Sequence, residues 1–354
     1  MTATTGVAPG ALRSVASDLP APPFQHLLRL SDDTGVFEHA RGPMPRRSHG
    51  YCVDDVARAL LVISREPYPS PEVARLGERC LAFLAHAQSP DGRFANRLGF
   101  DRRFEDEPSD GDWWGRALWG LGTAAAGNPT PWVRDQALIS FELGCDVRSP
   151  FRRAMAFAGL GAAAVLAAAP GHEGATRLLR AAAQAVGRPG ADASWPWPEP
   201  RLTYGNASLP DVLLAAGSAL EDPTLVHDGV VLLDWFRSIE APGGRLSLTP
   251  VGGWGPGEAR PAYDQQPIEA AALADAAARA HDVTGEARWL DVVRGCADWF
   301  LGANDVGLPL YDPDTGGGYD GLEAGGHNAN QGAESTLAFL STMQQARRLL
   351  SPAR

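Results

Sequence analysis

The sequence predicts an all-α fold in which six helical hairpins close into an (α/α)6 toroid. Amphipathic helical periods recur along the 354 residues while strand patterns are scarce. The links between helices alternate between short and long. Repeated hairpins bury their apolar faces only against neighbouring hairpins, which favours a closed ring.

The elements follow in chain order. A short helix is expected near 22–31, in PPFQHLLRLS. Residues 54–66, DDVARALLVISRE, place Val56, Ala59, Leu60 and Ile63 on one helical face. Residues 71–88 open on Pro71, a residue suited to the first helical turn. Further helices are expected near 113–127, 131–146, 152–169, 173–187, 208–220, 223–239, 266–283, 286–302 and 332–350. The links Glu66 to Pro71, Asn128 to Pro131 and Gly285 to Arg288 are short. Those at 89–112, 188–207, 240–265 and 303–331 are long, and long loops in compact domains tend to be functional. Helices starting near 54, 113, 152, 208, 266 and 332 form the inner ring. The others, with the N-terminal helix, form the outer ring. The long loops then share one rim with the N-termini of the inner helices, where backbone N–H groups are unpaired and carry partial positive charge. No linker composition interrupts the pattern, so one domain is expected, with residues 1–21 flexible.

Composition narrows the chemistry. The formal net charge is −11 and lysine is absent, so all 31 basic side chains are arginine. The acidic balance argues against a nucleic-acid partner, since phosphate backbones are bound by Lys and Arg. Without lysine there is no pyridoxal Schiff base, Walker lysine or kinase strand lysine. Cys52, Cys80, Cys145 and Cys296 are widely spread and read as buried free thiols. No leader-like apolar stretch and no run of ~20 apolar residues is found, which predicts a cytoplasmic protein with no membrane partner. The eight histidines are scattered and no HExxH occurs, so neither metal nor cofactor is expected. GLGTAAAG and GLGAAA fall inside helices and are not nucleotide loops. DPDTGGGYDG, with Asp312, Asp314 and Asp320, misses EF-hand spacing and reads as a Gly-rich turn.

The candidate site residues gather at the predicted rim. Ahead of the first inner helix stand His49, Tyr51, Asp54 and Asp55; ahead of the second, Asp112, Trp113, Trp114 and Arg116. The third start is poor in such residues. The fourth has Trp195, Trp197, Glu199, Tyr204 and Asn206; the fifth Trp254, Asp264, Gln265, Gln266 and Glu269; the sixth His327, Asn330, Gln331 and Glu334. A lone Asp at a helix start is often a cap worth ~1 kcal/mol, and Glu334 could close a capping box. Trp119, Trp132, Trp235, Trp289 and Trp299 read as core. Together, however, carboxylates, amides and flat aromatics on one rim suit a sugar, whose hydroxyls need forked polar partners and whose ring faces need aromatics. Cleaving a glycosidic bond needs two carboxyl groups, one protonating the leaving oxygen and one activating water or attacking.

HGYCVDDVARAL, GRALWGLG, LTYGNASLP, YDQQPIEA and NQGAESTLAFL resemble a bacterial family catalogued as glycosyltransferase-associated, some members of which are fused to a glycosyltransferase. The helical region is also similar to the six-hairpin glycosidase superfamily. The resemblance runs from about Phe24 to Leu349 and implies a glycan substrate and a glycosyltransferase as partner. It places Asp54 and Asp55 on the family's paired aspartates, Asp112 and Arg116 on its acidic GRALW segment, and Glu199 and Asn206 on its W…E…LTYDNA segment. Asp264 through Glu269 fall on its DQQP-E segment, and Gln331 and Glu334 on NQGAES. Gly205 stands where the family has Asp, Pro198 and Pro200 flank Glu199 where Phe and Asp are usual, and Val56 replaces Asn.

Three functions are compatible with these residues. The first is a glycoside hydrolase or phosphorylase acting on a bacterial mannose- or glucose-containing oligosaccharide, with Asp55, Asp112, Glu199 and Glu334 as carboxylates and Asp55 and Glu199 foremost. The second is a sugar epimerase or isomerase using His49 and His327 for proton transfer. The third is a non-catalytic glycan-binding partner of a glycosyltransferase.

Overall fold

A computed structural model describes residues 19–351. Most of the segment expected to be flexible, residues 1–18, lies outside the described residues. Of its remainder, Leu19 is buried against the core, and its carbonyl accepts from Arg347. The helices are α1 (Gln25–Arg29), α2 (Val53–Arg65), α3 (Pro71–Ala87), α4 (Asp112–Gly127), α5 (Pro131–Gly144) and α6 (Arg152–Ala168). They continue as α7 (Glu173–Val186), α8 (Ser208–Ala219), α9 (Pro223–Glu240), α10 (Pro267–Thr284), α11 (Arg288–Phe300) and α12 (Ala333–Leu350).

The even-numbered helices pack in the order α2, α4, α6, α8, α10, α12 and back to α2, a closed inner ring. Each outer helix packs on the inner helix beside it, and α1 lies against α12 and α3, completing the outer layer. The fold is therefore an (α/α)6 toroid. The helix positions agree with the periodicity, except that α1 is shorter than expected. Pro23 disfavours helical backbone at the residue before it, which moves the start past Pro22.

Outer helices bury one stripe, whereas inner helices are buried nearly all round, as α6 shows from Arg153 to Leu166. Close packing of α4 on α6 depends on glycine. A Cβ added at Gly161 would lie 2.2 Å from the Leu118 carbonyl oxygen, and one at Gly122 would lie 2.3 Å from the Gly161 carbonyl oxygen. The core assignment holds for Trp119, Trp289 and Trp299, but Trp235 is half-buried and Trp132 is 49% exposed near the start of outer helix α5. Its neighbour Val133 faces inward instead. All four cysteines are buried free thiols. No helix among the described residues is long and apolar enough to cross a membrane.

The rim loops carry short antiparallel ladders that the sequence did not announce: β1 (Ala40–Arg41) with β2 (Met44–Pro45), β3 (Tyr51–Cys52) with β4 (Arg97–Leu98), and β5 (Gly321–Glu323) with β6 (Gly326–Asn328). Main-chain pairs lace neighbouring loops together. β3–β4 joins the loops before α2 and α4, Leu202 pairs with Trp254, and Gln265 pairs with Leu322. Gln331 and Ala333 donate to the carbonyls of Gly42 and Glu38.

The close approach gives a first prediction. Gly161→Ala forces backbone against backbone, so it should cost roughly 1–3 kcal/mol, read as a lower thermal unfolding midpoint with the circular dichroism of the folded state unchanged.

Candidate functional site

Six inner helix starts surround a cavity on the ring axis. Its upper wall carries Arg58, Arg116 and Glu334, and its sides carry Trp119, Phe157, Ile268 and Leu337. Arg58, one turn into α2, organises the mouth. Its guanidinium meets Asp55 Oδ1 at 2.7 Å, Asp54 Oδ2 at 2.8 Å and Glu334 Oε2 at 2.9 Å. Asp54 also faces Arg116 Nε at 2.8 Å. The Arg116 guanidinium lies over the Phe157 ring, 3.9 Å from its centre, and Phe157 stacks on Trp119. Arg58 and Glu334 also line a shallower pocket beside the mouth, and there, not in the axial cavity, stand Asp54 and Asp55, with Glu38, His39, Gln266 and Asp320.

None of Asp54, Asp55, Asp112 and Glu334 accepts a hydrogen bond from a helix N–H among the described residues, so capping does not account for them. Burial is the main force on Asp55. It pushes the carboxyl up to about 7 against the pull of Arg58, with Asp54 and Glu334 pushing the same way. Cys52 Sγ donates to its second oxygen at 3.1 Å. Burial also raises Asp112, which Arg116 opposes. Glu38, Cys52 and Asp55 bring potential ligand atoms together. Arg97 already pairs with Glu38, and Arg58 with Asp55, so the negative charge that would attract a cation is offset.

A second polar group adjoins the cavity at Gly205. Arg153, at the start of α6, meets Glu199 Oε1 at 2.8 Å, Asn206 Oδ1 at 3.1 Å and the Tyr204 carbonyl. Asn206 Nδ2 donates to Glu269 Oε2 at 3.1 Å, and Glu269 also accepts from the Gly205 N–H. Glu269 is buried and its carboxyl is raised by that burial. Glu199 Oε2 is buried and lacks a hydrogen-bond partner among the described residues, which leaves that carboxylate half-satisfied.

The structure thus brings Asp54, Asp55, Arg116 and Glu334 together. Asp112 stands near enough to feel Arg116, Asp54 and Arg153. Glu199 and Asn206 form a separate group beyond Arg153, and Glu199 does not line the cavity. Several residues expected to contact a sugar are instead structural. Trp114 is fully buried, and Trp197 is sealed against Trp235 and Phe236. Tyr51 is buried against Phe37 and donates to Asp32. Gln265 is buried and bonds Leu248 N–H and Trp299 Nε1, and buried Gln331 accepts from His26 at its carbonyl. Asn330 accepts from the Gly42 N–H, and Trp113 donates to the Phe94 carbonyl. Trp195 and Trp254 pack on one another, half-buried; Tyr204 and Asp264 are exposed; Gln266 lines the shallower pocket. His49 is exposed and packs on His39, while His327 stacks on Tyr319, so the two do not face each other across the axial cavity.

Sequence reasoning missed Arg58, Phe157 and Arg153. Arg58 was legible as the i+4 partner of Asp54 and the i+3 partner of Asp55 on one helical face. Phe157 has no local signal, because an aromatic inside an Ala-rich helix reads as core. Asp312 heads a turn, accepting from the N–H groups of Asp314 and Thr315, as the Gly-rich reading expected.

Fold and site together define an (α/α)6 toroid with a carboxylate–arginine cluster at the mouth of an axial cavity. Among solved structures the chain is similar to a sugar epimerase from a ruminal bacterium, with TM-score 0.69, 12% identity, and coverage of 92% of this chain and 95% of that one. It is also similar to the cellobiose 2-epimerase from Spirochaeta thermophila, with TM-score 0.68, 14% identity, and coverage of 96% and 98%. The GH76 α-mannanase from Bacteroides thetaiotaomicron matches with TM-score 0.56, 10% identity, and coverage of 84% and 86%. At these identities the likeness is one of fold. No family model matches the chain, and no curated protein matches it.

Arg58 is the partner of three carboxylates, which yields a second prediction. Arg58→Gln removes the shared cation of Asp54, Asp55 and Glu334, so Asp55 should keep its proton to a still higher pH and the fold should lose about 1–3 kcal/mol at neutral pH. In chemical denaturation that loss should grow as pH rises above 7, where Asp55 must ionise without a partner, and adding Asp55→Asn should remove the growth.

Proposed function

We propose that this chain is a carbohydrate-active enzyme that cleaves a glycosidic bond, by hydrolysis or phosphorolysis, in a mannose- or glucose-containing oligosaccharide. The observation that carries this reading is the pairing of Asp55 and Glu334 on one guanidinium at the cavity mouth. A single Arg58 cannot reach far, so the two carboxyl groups lie within roughly 10 Å, about the upper limit for a glycosidase acid and base. Their environments differ as the two roles require. Asp55 is buried and holds its proton to about pH 7, which suits a general acid. Glu334 has a side chain 39% exposed and lines the cavity, which suits a base for water or phosphate.

Asp54 holds Arg58 and Arg116 in place, and Asp112 adds a further acceptor near Arg116. Glu199 lies outside the axial cavity and is assigned to holding Arg153, and through it Asn206, beside Gly205, which lines that cavity. The family resemblance and the fold shared with an α-mannanase support a glycan substrate. No comparison supports a glycosyltransferase partner. The epimerase reading draws on the same fold, but His49 and His327 do not meet across the axial cavity, so the carboxylates are preferred.

The test is turnover on a panel of manno- and gluco-oligosaccharides, with and without phosphate. Asp55→Asn and Glu334→Gln should each lower kcat by about 10²–10⁴ while the unfolding midpoint hardly moves. Glu199→Gln should raise KM more than it lowers kcat. If both Asp55→Asn and Glu334→Gln keep wild-type kcat on the cleaved sugar, the assignment fails.

The same assignment fixes a pH limb. A general acid with a carboxyl near 7 loses its proton as pH rises, so kcat should fall above about pH 7. Stability runs the same way, since the folded state binds this proton more tightly than the unfolded chain. Stability from Asp55 is therefore full below about pH 4 and lost progressively as pH rises towards 7. Replacing Asp55 with Asn should flatten that slope.

A further inference from the structure

The axial cavity is closed at its lower end. Its lining stops at Asp211, Asp275 and Ser341, all buried halfway down the ring or above. Each is tied by a side chain that does not line the cavity. Arg279, one turn beyond Asp275 on α10, donates to Asp211. Arg65, at the end of α2, donates to Asp275 Oδ1 at 2.9 Å and Ser341 Oγ at 3.0 Å. Gln345 of α12 donates to Asp275 at 2.6 Å. Side chains from α2, α8, α10 and α12 thus form a bonded floor beneath an apolar well, and Arg58 and Glu334 stand at its mouth.

From this geometry we infer that the enzyme is exo-acting: the well receives the terminal sugar residue of a chain, and the rest of the chain lies at the rim. The inference rests on the glycoside-cleaving reading above. A chain bound along its middle needs a cleft open at both ends, whereas a well with one mouth admits only an end. With a terminal ring below, the bond to the next sugar falls at the mouth, level with the carboxylates. Trp119 offers the ring an apolar face, and Ala271 and Ala338 leave it room on α10 and α12.

The experiment follows linear oligosaccharides of two to six residues, labelled at one end, and resolves the products in the first minutes. Ala271→Leu and Ala338→Leu, on two different helices, each fill the well from the side, and unfolding midpoints confirm that they fold. The expected result is release of single residues with stepwise shortening of the ladder. Either leucine should lower kcat/KM by roughly ten-fold or more, as a hydrophobic pocket discriminates at the level of single methylenes. A cyclic oligosaccharide of the same linkage, which has no end, should be neither cleaved nor bound in titration calorimetry. Mid-length products at early times, binding of the cyclic sugar as tight as the linear one, or unchanged kcat/KM in both leucine variants overturns exo action and leaves the glycosidase reading standing. If linear sugars bind without being cleaved, selective binding of linear over cyclic sugar still supports end recognition, while the glycosidase reading falls. If no sugar is cleaved or bound, both fall.

Discussion

The mouth of the toroid depends on one guanidinium. Arg58 projects from the first turns of α2 and meets Asp54, Asp55 and Glu334. Two of those carboxylates come from its own helix and the third from α12, so this contact joins the first and last helices of the inner ring as well as the site. Three carboxylates around one buried cation cannot all be fully compensated. Asp55, the most buried of the three, is raised chiefly by that burial, and the neighbouring carboxylates of Asp54 and Glu334 add to the shift.

The ring gives this arrangement its rigidity. Six helix starts converge because each inner helix is buried nearly all round, and glycine contacts such as Gly161 on Leu118 let neighbouring backbones close up. Side chains one or two turns into each helix then point towards a common axis. That is how residues nearly three hundred positions apart, Asp55 and Glu334, come to share a partner.

Much of the fold was legible because helical periodicity is a local signal. The alternation of short and long links was enough to separate inner from outer helices. The short ladders in the rim loops were not legible, since runs of two or three residues carry no period. The site was legible where charge stood at a helix start, as with Asp54, Asp55, Asp112, Arg116 and Glu334. It was less so for aromatics. Trp114 and Trp197 flank loops, as a stacking platform would, but the direction in which a ring points is set by tertiary packing, which spacing does not encode. The floor residues Asp211, Asp275 and Arg279 lie inside Ala-rich helices, and nothing nearby in sequence reveals that they meet.

The lacing of the rim loops has a thermodynamic consequence. Main-chain pairs such as Gln265 with Leu322 and Ala333 with Glu38 fix the loop backbones before any ligand arrives. Their conformational entropy is lost on folding, so little remains to be lost at association, and more of each contact's favourable energy survives as affinity.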